Sequence, residues 1–159
     1  RKIVTLSIKR IMVIEEHIHK GIDLKKCYII HTHDDHKFET EDLPSLICGA
    51  KKNFTVVYDK KNIIYLVGGS DSKNNGSKTC MRFDVANRKW HQMPELNKVT
   101  ISPLCCISDD NILYTFNNSL NHVEKLDLND PSSTWKIIRL NNITMRPFGI
   151  IFDNSKNQI

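Results

Sequence analysis

The chain has 159 residues, is 40% hydrophobic and 26% charged, and carries a formal net charge of +5. That apolar content excludes a globally disordered chain, and the longest apolar runs, 11–14 and 63–67, fall far short of the ~20 residues of a membrane-spanning helix. The charge divides as +2 over residues 1–52, +4 over 53–103 and −1 over 104–159, with no dense Lys/Arg stripe of the kind that binds nucleic acid.

Residues 2–20 carry two patterns. Ile3, Leu6, Arg10, Val13 and His17 lie at helical spacing, whereas the alternation Leu6, Ile8 and the run Ile11 to Ile14 fit strands. Strands are the preferred reading because of the repeat described below. Next comes His31-Thr-His33-Asp34-Asp35-His36, with His17, His19 and Cys27 upstream. On a strand, His31 and His33 share a face, and two same-face imidazoles beside a carboxylate are a donor set that zinc accepts. No HExxH, CxxC or other three-ligand pattern accompanies them. The preferred reading is a solvated turn, with no metal and no cofactor. The alternative is a metal-binding protein or metal-dependent enzyme using the histidines of 17–36.

From residue 54 the pattern is β. Phe54 to Asp59 is a short strand, Lys61-Asn62 a turn, and Ile63 to Val67 a second strand that Gly68-Gly69 stops. A polar loop, Ser70 to Ser77, leads to a third strand, Thr79 to Val85. Asn87-Arg88 turns the chain, and Lys89 to Gln92 is a fourth. The same order returns downstream. Tyr65-Leu-Val-Gly68-Gly69 aligns with Tyr114-Thr-Phe-Asn117-Asn118, Phe83-Asp84 with Leu126-Asp127, Trp90 with Trp135, and Phe54-Thr-Val-Val-Tyr with Pro103-Leu-Cys-Cys-Ile. A period near 50 with this order of strands and turns marks a propeller-type array.

These residues resemble the kelch repeat. The family's signature positions are Tyr65, Gly68, Gly69, Phe83, Asp84 and Trp90, followed by Met93-Pro94. Tyr114, Asp127 and Trp135 repeat them, with Asn117-Asn118 in the glycine slots, where Asn tolerates positive φ better than most residues. A weaker unit threads upstream: Glu15-Glu16 in the glycine slots, Ile30-His31 in the apolar-Asp slots, Phe38 in the Trp slot and Pro44 in the Pro slot. The resemblance implies an all-β, kelch-type β-propeller of about three four-stranded antiparallel blades plus the first strand of another. Residues 1–50 form a degenerate first blade or a non-kelch element, 51–100 and 101–147 two blades, and 148–159 the start of the next. A closed propeller takes 4–8 blades, so the chain is expected to be a stretch of a larger one.

The signature residues are expected to serve the fold: tryptophans and tyrosines fill the wedge between blades, aspartates hold turns, and glycines let a strand end sharply. No GxSxG, GxGxxG or Walker spacing is present, so an enzyme is not expected. The resemblance implies a non-enzymatic protein–protein interaction or scaffold module, within a cytoskeletal, ciliary or other large assembly. Its partner contacts are expected in rim loops at Ser70, Asp71, Lys73, Asn74, Asn75, Lys98 and Arg146. Five cysteines without paired spacing suit a reducing compartment, and a cytoplasmic location is expected.

Overall fold

The computed structural model describes residues 2–7, 10–19, 22–33, 37–46, 52–71, 73–117 and 122–139. Among them every helix-or-strand element is a strand, so no helix is long and apolar enough to cross a membrane. Twelve strands form three four-stranded antiparallel sheets. The first sheet holds β1 (Lys2–Ser7), β2 (Arg10–His19), β3 (Ile22–Thr32) and β4 (Phe38–Leu43). The second holds β5 (Thr55–Tyr58), β6 (Ile63–Val67), β7 (Cys80–Asp84) and β8 (Lys89–Gln92). The third holds β9 (Leu104–Ile107), β10 (Ile112–Phe116), β11 (His122–Asp127) and β12 (Lys136–Arg139). Within each sheet the strands pair in chain order. This is the blade architecture of a partial β-propeller.

The second and third sheets repeat in register as well as in order. Ile63 faces Asp84 and Ile64 faces Phe83, just as Ile112 faces Asp127 and Leu113 faces Leu126. Turn chemistry repeats too. The Asp59 carboxylate accepts N–H bonds from Lys61, Asn62 and Ile63 at 2.8–3.0 Å, while Lys60 takes a left-handed φ of 61°. In the third sheet Ser108 Oγ accepts the Ile112 N–H at 3.1 Å, with Asn111 left-handed at 58°. A short polar side chain that satisfies turn amides relieves the backbone of finding strand partners there, which fixes where the hairpin reverses.

The core lies between the sheets. Ile64, Leu66, Met81, Phe83 and Trp90 join Met12, Ile14, Cys27 and Ile29 of the first sheet in one buried cluster. Tyr65, Val67, Cys80 and Leu96 join Leu113, Leu126 and Trp135 in another. Alternate residues of β6 therefore face opposite neighbours, which is why 64–67 are all buried, as a strand inside a stack requires. Each tryptophan also reaches back to the preceding sheet. Trp90 Nε1 donates to the Pro44 carbonyl at 3.0 Å and Trp135 Nε1 to the Pro94 carbonyl at 2.9 Å.

Gly69 is conformationally demanding. Its φ is 103°, and a Cβ there would stand 2.6 Å from the Lys52 carbonyl oxygen and 3.1 Å from the Phe54 backbone nitrogen. Gly69→Ala is expected to cost on the order of 2 kcal/mol from backbone strain and crowding, read as a lowered urea midpoint. Gly76→Ala is the milder control, since its nearest neighbour is the Ile101 Cγ1 at 3.2 Å, a side-chain atom that can move.

The first sheet departs from the threading read from sequence. Residues 2–7 and 10–19 are strands, not a helix. Glu15 and Glu16, however, do not end a strand: β2 continues through them to His19 and pairs with β3 up to Ile22. The β6–β7 connection spans 68–79, whereas only two residues separate β2 from β3. Phe38 does not fill a tryptophan slot. It pairs with Thr32 and is 70% exposed, while Thr40 takes the place opposite Ile30 that Trp90 takes opposite Phe83. Pro44 does occupy the Pro position, because its carbonyl receives Trp90 as Pro94 receives Trp135. Asn117 does not use positive φ in place of Gly68 (φ 63°). Its buried amide instead donates to the Val99 carbonyl at 2.9 Å. Asn118 and residues 148–159 lie outside the described residues.

Candidate functional site

Antiparallel order sends β6 and β8 toward one edge of the second sheet, so the β6–β7 loop and the connector from β8 to β9 emerge together. Backbone bonds join them there. Thr100 N–H donates to the Ser77 carbonyl at 3.1 Å, Ser77 N–H to the Gly69 carbonyl at 2.9 Å, and Gly69 N–H to the Thr100 carbonyl at 3.2 Å. The connector before β5 joins the same rim through paired Lys52–Ser70 backbone bonds of 2.8 and 2.7 Å. The Thr55 hydroxyl also donates to the Pro103 carbonyl.

The loop tip organises itself. The Asp71 carboxylate accepts from the Asn75 side-chain amide at 2.9 Å, the Asn75 N–H at 2.9 Å and the Lys73 N–H at 2.8 Å. Those donors, the Asn75 amide foremost, hold the carboxyl below its ordinary range. Asp71, Lys73, Asn74 and Asn75 are exposed at this tip, and Lys98 is exposed on the neighbouring connector. Ser70 is not part of that surface. It is fully buried, because its backbone bridges both Lys52 and Gly76 and draws the residue beneath the loop. Arg146 lies outside the described residues.

A residue the repeat pattern does not mark holds this rim. Glu124 on β11 stands opposite Thr115, the position where Met81 stands opposite Leu66 in the second sheet. It is 3% exposed. Its carboxylate accepts from Asn97 N–H at 2.8 Å, Asn97 Nδ2 at 2.9 Å and Lys98 N–H at 3.1 Å. Asn97 Nδ2 also donates to the Trp135 carbonyl at 2.8 Å. His122 Nε2 lies 3.7 Å from the same carboxylate without a hydrogen bond of its own. A buried carboxylate is tolerated where several N–H groups point at it. The signal in the sequence is a single acidic residue in an otherwise apolar repeat position.

On the opposite edge, Arg88 in the β7–β8 turn reaches the first sheet. Its Nε and Nη2 grip the two Glu41 oxygens at 2.7 and 3.0 Å, and His31 Nε2 meets Glu41 at 3.0 Å. Desolvation opposes ionisation of Glu41, but the bonds and charges of Arg88 and His31 outweigh it and hold the carboxyl below its usual range. His33 pairs separately with Glu39 at 3.6 Å. Among the described residues no three His, Cys, Asp or Glu side chains are placed to hold a metal ion. His36 lies outside the described residues.

The signature residues occupy the blade frame. Tyr65 and Trp135 meet in the cluster between second and third sheets, and Phe83 packs against Trp90 with centroids 4.8 Å apart and ring planes tilted by 48°. Asp84 accepts from Asn87 N–H at 2.9 Å and Asp127 from Asn129 N–H at 2.9 Å, each closing its turn. Burial pushes the Tyr65 hydroxyl up to about 12, with the Asp59 charge adding to the effect. Tyr114 is half-buried.

Cys27, Cys80, Cys105 and Cys106 are free thiols. Burial pushes Cys27 up to about 11 and Cys80 and Cys105 up to about 12. Thiolate is the reactive form, so these groups are built for packing, not nucleophilic attack. At pH 8 the folded protein should leave Cys27, Cys80 and Cys105 largely unalkylated by iodoacetamide, and urea should release all three, as peptide mass spectrometry would read. Rapid native labelling of Cys80 would contradict the packing described.

No curated protein matches this sequence. Residues 60–97 match the family model described as the Kelch motif. That segment contains β6, β7 and β8, with Gly68, Gly69, Asp84 and Trp90, and it sits in the middle of three four-stranded antiparallel blades. Residues 60–97 thus carry a Kelch motif, and the three blades around it have the architecture of a partial kelch β-propeller.

Proposed function

We propose that this chain is a non-enzymatic interaction and scaffold module that presents the rim of loops 71–77 and 95–102 to partner proteins. Kelch repeats typically mediate protein–protein interaction, and the observation that carries the reading here is the construction of that rim. Two loops from different parts of the repeat are bonded to one another, pinned from below by Glu124, and leave Asp71, Lys73, Asn74, Asn75 and Lys98 outward. Loops held at fixed geometry by a scaffold make good contact surfaces, because little ordering remains to be done on binding. The catalytic alternative draws no support from His31 and His33, which are engaged with Glu41 and Glu39.

The test is photo-crosslinking in cells of the parent organism. A benzophenone amino acid replaces Asn74 in the full chain, and a second version carries it at Lys136 on β12. Discrete protein adducts specific to position 74 are expected. Adducts at neither position, or equal ones at both, would sink the reading. The finer form of the proposal places the module in the cytoplasm within a cytoskeletal or ciliary assembly. Free buried thiols favour a reducing compartment, and co-sedimentation of adducts with filament fractions tests the assembly.

A further inference from the structure

Five large hydrophobic side chains are exposed among the described residues: Ile3, Phe38, Val99, Ile101 and Ile137. Val99 (55% exposed) and Ile101 (43%) are two residues apart on one extended segment, and Thr100 between them is buried. That is the alternation of a strand with one outward face. The antiparallel Ser77–Thr100 bridge sets Gly76 across from Ile101 and Lys78 across from Val99. Gly76 contributes no side chain to that face. A Cβ there would stand 3.2 Å from Ile101 Cγ1 and 3.4 Å from Val99 Cβ. The outward face is therefore an apolar ledge over bare backbone, with Lys78 and Lys98 beside it.

This ledge is held by many bonds. Lys98 N–H goes to Glu124, the Val99 carbonyl receives Asn117, Thr100 pairs with Ser77 and Gly69, and Ser102 N–H donates to the Asn53 carbonyl at 2.9 Å. Exposed β-branched residues on a preorganised segment lose little entropy when covered. Lys78 and Lys98 form no ion pair among the described residues, and the nearby Asp71 carboxylate is turned into its own loop by three donors. Lys78 and Lys98 are thus two exposed, unpaired cations at the ledge, with Glu124 buried beneath and Glu95 the exposed carboxylate of the connector, within residues 53–103, which carry +4.

We propose that the Val99–Ile101 ledge docks an extended acidic segment of a partner protein. An apolar side chain of that segment sits over Gly76 between Val99 and Ile101, and its carboxylates face Lys78 and Lys98. The proposal rests on the interaction-module reading and names the partner's chemistry.

Three fluorescent nine-residue peptides test it against the full chain by polarisation: alternating Glu and Leu, Glu and Ser, and Lys and Leu. Two double variants accompany the parent, Val99→Ser with Ile101→Ser and Lys78→Glu with Lys98→Glu. All four side chains are exposed, and unchanged circular dichroism and melting confirm that the variants fold. The Glu/Leu peptide should bind the parent, weaken with added salt, and weaken about tenfold or more with each double variant. The Glu/Ser and Lys/Leu peptides should bind far less. No binding of the Glu/Leu peptide, equal binding of all three, or indifference to both variants would overturn the proposal. Self-association of the parent that the Val99/Ile101 variant abolishes would overturn it in favour of a second copy. If the adducts from position 74 persist unchanged in both double variants, the ledge is wrong and the interaction module stands. If position 74 yields no specific adducts, the module reading fails as well.

Discussion

Trp90→Ala is expected to destabilise the chain by about 3–5 kcal/mol, the range for emptying a buried aromatic site. The indole is 3% exposed and lies in the cluster that joins the first and second blades. Three losses combine. Packing against Phe83 goes, the Pro44 carbonyl loses its N–H donor, and the cavity opens at a junction instead of inside one sheet. For a chain of this size each kcal/mol lowers the melting temperature by roughly 2–4 °C, so a fall on the order of 10 °C is expected by circular dichroism. Trp90→Phe separates the terms, since it keeps an aromatic ring and removes the donor. It should cost less than half as much. A loss below ~1 kcal/mol for the alanine variant would show that the two blades are not held together through this residue.

Glu124→Ala is expected to cost about 3 kcal/mol, because three N–H donors aimed at a buried carboxylate lose their acceptor together. Glu124→Gln keeps an oxygen and should recover part of the loss. Glu124→Met tests the repeat logic directly. It restores the residue type found at the equivalent Met81, yet it leaves the Asn97 and Lys98 amides unpaired and should remain destabilising. The local readout is hydrogen exchange. The Asn97 and Lys98 amides should lose protection in all three variants, most in the alanine, while β6 and β7 amides keep theirs. Unchanged protection at Lys98 would mean that the carboxylate does not pin the rim.

The second blade was the most legible part of the sequence. Ile63–Val67 and Lys89–Gln92 are strands over the expected residues because Asn, Asp and Gly punctuate them on both sides, and turn chemistry is local. The strand order and the position of Pro44 in the first blade also followed from spacing. What failed there was the internal register, since a hairpin with long arms replaces a long loop, and the apolar content of β2 gives no mark of where it stops. Ser70 read as an exposed loop residue because its neighbours are polar. Its burial comes from bonds to Lys52 and Gly76, of which the first lies eighteen residues away, and such bonds leave no local signature. Glu124 carries only the faint mark of an acidic residue in an apolar repeat position, for a related reason. A single glutamate in a strand reads as a solvent-facing residue until the packing of the next connector is known.

The two tryptophan bonds run in one direction. Trp90 donates to Pro44 and Trp135 to Pro94, so the second blade gives a donor to the first and an acceptor to the third. Each joint is a tongue entering a groove. Deleting the third blade would strip the Pro94 carbonyl of its donor, take the Glu124 acceptor from Asn97 and Lys98, and uncover Tyr65, Val67, Cys80 and Leu96. Deleting the first would strand an indole N–H and uncover an aromatic face. What a blade loses with its neighbour therefore differs at its two faces, an indole acceptor on one side and a carboxylate acceptor on the other, a polarity that the near-symmetry of the repeats conceals.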